Sequence, residues 1–401
     1  MSLTHRKRFQ RLMHYQTVDR GIHWDFGFLS ETMDRWSQEG LPEDVYGEDA
    51  GGRMVRISNH FGVDPTMHVP AHINLHPGFP YEVVEERERT ILHRDGNGCI
   101  VEEAREGQAT IPHVVEQGLK SRADWEEKYK PKLDAADPVR HEHDFAAMAK
   151  QYNEADVPVI INSGSYMGWI RNWVGAAEIG MMCYDDPNLV SEMVNTLCDM
   201  FIAVLEPALH HVEVDLAWGW EDICFNTGPL VGPNLWRDIV AEPQKRVFDC
   251  IRNHGVDIIL TDCDGNIFAL QPLWLELGLN GAFPCEVNGN SDPIEVRKEF
   301  GRNVLIFGGV NKQKMASKED VLQELLRLSP LLEDGGFIPF CDHRVPEYVP
   351  YDAYCYYERE KLAMLGFSNA EVAEIECLKN IRATQTSVFT KDIGGVARPA
   401  L

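Results

Sequence analysis

Val256-Asp257-Ile258-Ile259-Leu260-Thr261-Asp262-Cys263-Asp264-Gly265-Asn266 is a short apolar, β-branched run that ends in two carboxylates and a Gly-Asn turn signal. Its length predicts a buried strand, and a helical pattern over residues 267–277 follows at once. A strand that delivers acids into a strand-to-helix loop is where α/β enzymes keep their chemistry.

The same pattern recurs on both sides. Val157-Pro158-Val159-Ile160-Ile161-Asn162 runs into Ser163-Gly164-Ser165, and residues 212–218 run into Gly219-Trp220-Glu221-Asp222. Downstream, residues 279–283 lead into Pro284-Cys285-Glu286, residues 303–307 into Gly308-Gly309-Val310-Asn311-Lys312, and residues 336–340 into Cys341-Asp342-His343-Arg344. Helical patterns lie between them. One covers residues 188–210, with Leu189, Val194, Leu197, Phe201 and Leu205 at apolar positions, and another follows a Ser317-to-Asp320 capping box. Gly232-Pro233 starts a helix to residue 254 that Pro243 is expected to kink. Repeated strand–helix units imply a parallel sheet with right-handed crossovers, and seven or eight strands favour a closed (β/α)8 TIM barrel of the α/β class.

Upstream, Thr4 caps an opening helix to residue 15, and Ile22-His23-Trp24-Asp25-Phe26-Gly27-Phe28 reads as a first strand. Residues 81–92 and 99–104 flank Arg94-Asp95-Gly96-Asn97-Gly98, a hairpin signal. The expected organisation is an N-terminal helix, first strand and β-hairpin appendage over 1–120, the barrel over 121–366, and a C-terminal helix and tail over 367–401. Together these form one structural domain.

Lys and Arg number 38 against 63 Asp and Glu, a formal net charge of −25. That balance argues against nucleic acid and against anionic membranes as partners. Ten cysteines lie singly, without a Cys-x-x-Cys pair, which fits reduced thiols in a cytoplasm. No run approaches the length of a membrane span, and the basic residues 5–8 lack the apolar segment of a secretory signal. No Gly-x-Gly-x-x-Gly follows an early strand, so neither NAD nor flavin is expected.

In a barrel the strand-end loops share one face, so Asp262, Asp264, Glu286, Lys312, Asp342 and His343, with Glu221 and Asp222, converge on one mouth. Asp262, Asp264, Glu286 and His343 are the candidate catalytic residues. Glu221, Asp222, Lys312, Arg344 and Tyr351 are candidate substrate contacts, and Asp262, Asp264, Asp342 and His343 a candidate metal set. Oxygen ligands favour Mg or Mn, and added His or Cys favours Zn. Without a metal the carboxylates serve as general acid and base. Each residue has a structural alternative: Asp264 as a helix cap, Glu286 with Lys312 as an ion pair, His343 as a locally bonded loop histidine, Asp222 as a surface acid. Cys263 and Cys341 flank the acids but fall out of phase with them. Tyr348, Tyr351, Tyr354, Tyr356 and Tyr357 either line a pocket or pack a core, and His72 and His76 belong to a lid or to irregular surface.

Four of these segments carry a resemblance to the uroporphyrinogen decarboxylase superfamily: Leu260-Thr261-Asp262-Cys263-Asp264-Gly265-Asn266; Leu277-Gly278-Leu279-Asn280-Gly281 with Pro284-Cys285-Glu286; Phe307-Gly308-Gly309-Val310-Asn311-Lys312; and Cys341-Asp342-His343-Arg344-Val345-Pro346. The resemblance implies a (β/α)8 barrel. One branch decarboxylates uroporphyrinogen without a cofactor, and the other moves a methyl group between a corrinoid and a thiol, using zinc. The decarboxylases carry Arg-Gln-Ala-Gly-Arg-Tyr after the first strand. Here Trp24-Asp25-Phe26-Gly27-Phe28-Leu29-Ser30-Glu31 has two acids and no arginine, which makes Asp25 a candidate substrate contact. The zinc methyltransferases carry His-x-Cys-Gly where Asp262 and Asp264 stand. The chain thus resembles a third, divergent branch with an Asp-x-Asp-Gly and Asp-His signature. The leading expectation is methyl (C1) transfer in a corrinoid-dependent system, with a small-molecule substrate, a divalent metal, a corrinoid as donor or acceptor and a corrinoid protein as partner. A homodimer is expected separately. The alternatives are a carboxy-lyase acting on uroporphyrinogen or another carboxylate, and a non-catalytic corrinoid or small-molecule binding protein.

Overall fold

The computed structural model describes residues 2–47, 50–105, 113–378, 387, 389–391 and 397–399. The chain divides into two compact units: Met67–Ala155 with Val159–Asn280, and Met1–Thr66 with Asp156–Pro158 and Gly281–Leu401.

In the first unit, β1 (Met67–Val69) is followed by an antiparallel excursion, β2 (Glu82–Glu86), β3 (Thr90–Arg94), β4 (Ile100–Ala104) and β5 (His113–Glu116). The predicted hairpin segment is thus part of a four-stranded antiparallel sheet. Asp95 Oδ1 accepts from Asn97 N at 3.0 Å and Cys99 N at 2.8 Å, closing the turn between β3 and β4. The chain returns through the Phe145–Asn153 helix to β6 (Val159–Gly164) and β7 (Leu216–Trp220). A short hairpin, β8 (Cys224–Phe225) and β9 (Gly228–Pro229), precedes β10 (Ile259–Asp262). Strands β1, β6, β7 and β10 lie side by side in that order, all parallel. Val159, Ile161, Leu216 and Ile259 are buried, as expected of strands covered on both faces.

The Pro187–His211 helix is capped by Asp186, which accepts from Leu189 N at 3.0 Å. By length and composition this helix is apolar enough to cross a membrane, contrary to the expectation that no stretch would be. Isolated polar residues break the apolar run without removing its overall apolarity, and 56% of the window is buried, as in a core helix. The helix expected to kink at Pro243 is two helices, Pro233–Ile239 and Ala241–Asn253, broken at Val240. Pro243 falls in the first turn of the second, where a missing N–H breaks no intrahelical bond.

The second unit contains β11 (Gly281–Phe283), β12 (Leu305–Phe307) and β13 (Phe337–Ile338), again parallel and in sequence order. Seven parallel strands are therefore present among the described residues, an α/β fold. The predicted first strand, residues 22–28, is an extended segment with one parallel bridge, Phe28 to Val345. Its backbone is satisfied elsewhere: the Asp64 carboxylate accepts from His23 N at 3.0 Å, and Gly21 N donates to Leu365 O at 2.7 Å. The opening helix, His5–Met13, has Thr4 accepting from Lys7 N at 3.3 Å, and Ser317 caps Lys318–Asp334. Phe28, Trp36, Phe61 and Tyr354 form an aromatic core with centroids 4.9–5.9 Å apart. Of the predicted C-terminal helix and tail, Asn369–Glu374 is a helix with a Ser368–Glu371 capping box; residues 379–386, 388, 392–396, 400 and 401 lie outside the described residues.

Candidate active site

In the first unit the strand ends are held by acids. Glu221, at the end of β7, is 1% exposed. Its Oε1 accepts from Tyr166 N at 2.8 Å, and Oε2 from Met167 N and Gly168 N, each at 2.9 Å. These amides open the Gly168–Val174 helix, where backbone N–H groups lack intrahelical partners. Gly168 makes the approach feasible, since a Cβ there would lie 2.2 Å from Glu221 O. Burial pushes the Glu221 carboxyl up to about 7, against the lowering effect of the three amides. A residue expected to touch substrate is thus a buried brace.

Asp222 follows in the left-handed region at φ 43. Arg171 Nη1 and Nη2 each lie 3.1 Å from its Oδ2, and the guanidinium sits 5.2 Å from the Trp220 ring centroid. Burial raises the Asp222 pKa, Arg171 opposes the rise, and the nearby Asp264 carboxylate adds to it. The peptide at Asp262 is pinned: its carbonyl accepts from Glu221 N at 2.8 Å and Asp222 N at 3.1 Å. Asp262 and Asp264 are half-buried. The helix after them begins at Gln271, not at residue 267, and Asn266 Oδ1 accepts from Phe268 N at 3.1 Å. Asp264 is therefore not that helix's cap. Gly265, at φ 79, has its Cβ position 2.7 Å from Cys224 O, so no larger residue fits the acid loop there.

In the second unit, Lys312 Nζ meets Glu286 Oε1 at 2.6 Å; both side chains are half-buried. Asp342, with no exposure, accepts from Val287 N and Lys312 N at 2.9 Å each, so it fixes the backbone of both partners. Burial pushes Asp342 up to about 6 despite the Lys312 amide and charge. His343 is half-buried, its ring 5.6 Å from Phe26 in edge contact. Arg344 is exposed. Tyr351 is committed to packing: its hydroxyl lies 2.6 Å from His60 Nε2 and its backbone N donates to Glu39. Tyr354 and Tyr357 are likewise core residues, and Tyr348 is exposed.

Behind this loop cluster lies a charged network that the sequence reading does not anticipate. Lys361 Nζ is 3.1 Å from Asp25 Oδ1 and 2.9 Å from Glu358 Oε1, and His23 Nε2 is 3.2 Å from Glu358 Oε2. His23, Glu358 and Lys361 side chains have no exposure, and Asp25 has 9%. Burial works against the Lys361 charge, but Asp25 and Glu358 outweigh it and raise its pKa. Burial also lowers His23 to about 4, which keeps the imidazole neutral. Asp25 Oδ2, Trp24 Nε1 and Tyr357 OH are buried with no hydrogen-bond partner among the described residues. The signal available was the Glu358–Lys361 spacing, two opposite charges three residues apart on one face of the Tyr351–Met364 helix.

The expected metal quartet is divided between the units: Asp262 and Asp264 belong to the first, Asp342 and His343 to the second.

The uroporphyrinogen decarboxylase (URO-D) family profile matches residues 97–351, more than half of the chain. The chain belongs to the uroporphyrinogen decarboxylase family. No curated protein matches the sequence. Among solved structures, a methyltransferase from Methanosarcina mazei superposes with a TM-score of 0.54 at 12% identity, covering 90% of this chain and 99% of that one. At that identity the likeness speaks for the fold. The donor set of the methyltransferase branch's thiolate-rich zinc site is not matched here, since Asp262 and Asp264 stand where that branch carries His and Cys. Cys263 and Cys341 are buried, and Ile223 N donates to Cys263 Sγ at 3.3 Å.

Proposed function

We propose that this uroporphyrinogen decarboxylase family member transfers a methyl group between a corrinoid and a small-molecule acceptor, rather than decarboxylating uroporphyrinogen. The observation that carries the reading is Asp25. Where the decarboxylases place arginines for substrate carboxylates, this chain has an acid paired with the buried Lys361 at 3.1 Å. A substrate rich in carboxylates would meet no cation from this segment. The similarity to a methyltransferase of the same fold supports the same direction.

The corrinoid, when bound, supplies or accepts the methyl group. The chain's own residues handle charge and protons. His343 is the proton acceptor for the attacking group, Glu286 and Lys312 orient polar substrate atoms, and Asp342 is a positioning residue acting through the two amides it holds. Anaerobic incubation with methylcobalamin and a panel of thiols tests this: loss of the methylcobalamin absorbance with formation of a thioether is expected, and His343→Gln abolishes it. No methyl transfer together with carbon dioxide release from uroporphyrinogen would establish the second reading, a carboxy-lyase. That reading draws on the family match and on the exposed Arg344 as a carboxylate contact.

A further inference from the structure

His72, expected in a lid or in irregular surface, meets Glu142 and His143, and all three lie in the first unit. His72 follows β1, whose C-terminal end is marked by Val69. Glu142 and His143 immediately precede the Phe145–Asn153 helix, which leads to β6, the parallel neighbour of β1. A crossover helix runs antiparallel to the strands it connects, so its start lies on the side of the strands' C-terminal ends. Topology thus brings the two segments to the side of the sheet where the family's fold keeps its chemistry.

The side chains meet closely. His72 Nε2 is 2.9 Å from Glu142 Oε1 and 3.2 Å from His143 Nε2, and His143 Nε2 is 4.0 Å from the same glutamate oxygen. The two imidazoles stack, with centroids 5.1 Å apart and an interplanar angle of 7°. A tetrahedral cation with bonds of ~2.0–2.1 Å needs ligand atoms ~3.3–3.4 Å apart, and the three separations bracket that spacing.

The backbone under the cluster is rigid. Arg140, 2% exposed, donates to the carbonyls of His72, of Asn74 at 3.0 Å, of Lys132 at 2.7 Å and of Asp134 at 2.8 Å. A single buried guanidinium therefore ties the loop carrying His72 to the segment carrying Glu142 and His143. His76 Nδ1 at 2.6 Å from Asp137 Oδ2 is a second tie between the same segments. Within the described residues, this is the group of three or more potential ligands whose donor atoms all lie within 4.8 Å of one another.

We infer that His72, Glu142 and His143 form a site for a divalent first-row transition cation, with zinc the best fit to two imidazoles and one carboxylate. The side chains remain 26–53% exposed, so three protein ligands leave a fourth position open to water or to a ligand.

Calorimetric titration of the full chain with Zn2+ tests the assignment. One equivalent is expected to bind. His72→Ala and His143→Ala should each weaken binding at least about tenfold, because removing one ligand leaves two. Co2+ should give ligand-field bands in the visible region that the double variant lacks. Circular dichroism of the variants checks that the fold survives, and Glu142→Gln, which preserves shape, supplies an independent variant. Equal Zn2+ affinity in wild type and double variant, or no binding by the wild type, would overturn the site. The readout does not involve methyl transfer, so it stands apart from the proposed activity.

Discussion

Glu221 in the first unit and the Asp25–Glu358 pair in the second are both buried carboxylate arrangements, yet they are neutralised differently. Glu221 rests on three backbone amides at a helix start. Asp25 and Glu358 share one lysine, with His23 beside them. The amides favour the ionised carboxylate but bring no net charge, and burial outweighs them, so its pKa lies near 7. A lysine brings a full charge whose removal leaves two acids stranded. The first arrangement is a neutral brace and the second an ionic knot, and both titrate, since burial lifts the Glu358 carboxyl to about 8 despite Lys361.

The sharpest way to break this comparison is Lys361→Met. Removing the cation from two buried acids should cost ~3–5 kcal/mol, read by urea denaturation. A further Glu358→Gln change should return part of that loss; no recovery would mean that the lysine stem's packing matters more than its charge. Glu221→Ala should cost ~1–3 kcal/mol, because three buried amides lose their acceptor. A variant of unchanged stability would return Glu221 to the substrate-contact role.

The pH dependence follows from sign. Glu221 has a folded pKa of about 7 against an ordinary 4.5, and Asp342 about 6 against 3.8. Both bind protons more tightly when folded, so their contribution is fully present below the ordinary values and is lost as pH rises toward 6 and 7. The urea midpoint should fall across that window, and Glu221→Gln with Asp342→Asn should flatten the slope. Smaller still is Arg171→Met, which removes the part-exposed pair with Asp222 and should change stability by less than about 1 kcal/mol. Arg344→Ala should leave stability within about 0.5 kcal/mol, so any loss of turnover in that variant reports a substrate contact.

The strand ends were readable because an apolar run followed by Gly and acids has few other meanings. That pattern located β7, β10, β11, β12 and β13 and the Glu286–Lys312 and Asp342–His343 loops. It could not reveal what the acids face. The partners of Glu221 are main-chain amides, which carry no residue identity. Lys361 and Asp25 are 336 positions apart, and His72 and Glu142 are 70 apart, so neither pair leaves a local signature. Residues 22–28 look like a strand because they are extended and apolar, but a side chain, Asp64, satisfies His23 N, and among the described residues the segment makes one bridge. Helix starts misled too: Pro243 signals a kink only in a helix interior, and here it lies in a first turn.

The ionic knot also sets an order of events during synthesis. Asp25 and His23 emerge from the ribosome early, while Glu358 and Lys361 appear only after the other compact unit, Met67–Ala155 with Val159–Asn280, has been made. Until then Asp25 has no Lys361 to meet. The knot is therefore complete only once the Tyr351–Met364 helix, which carries Glu358 and Lys361, has been made.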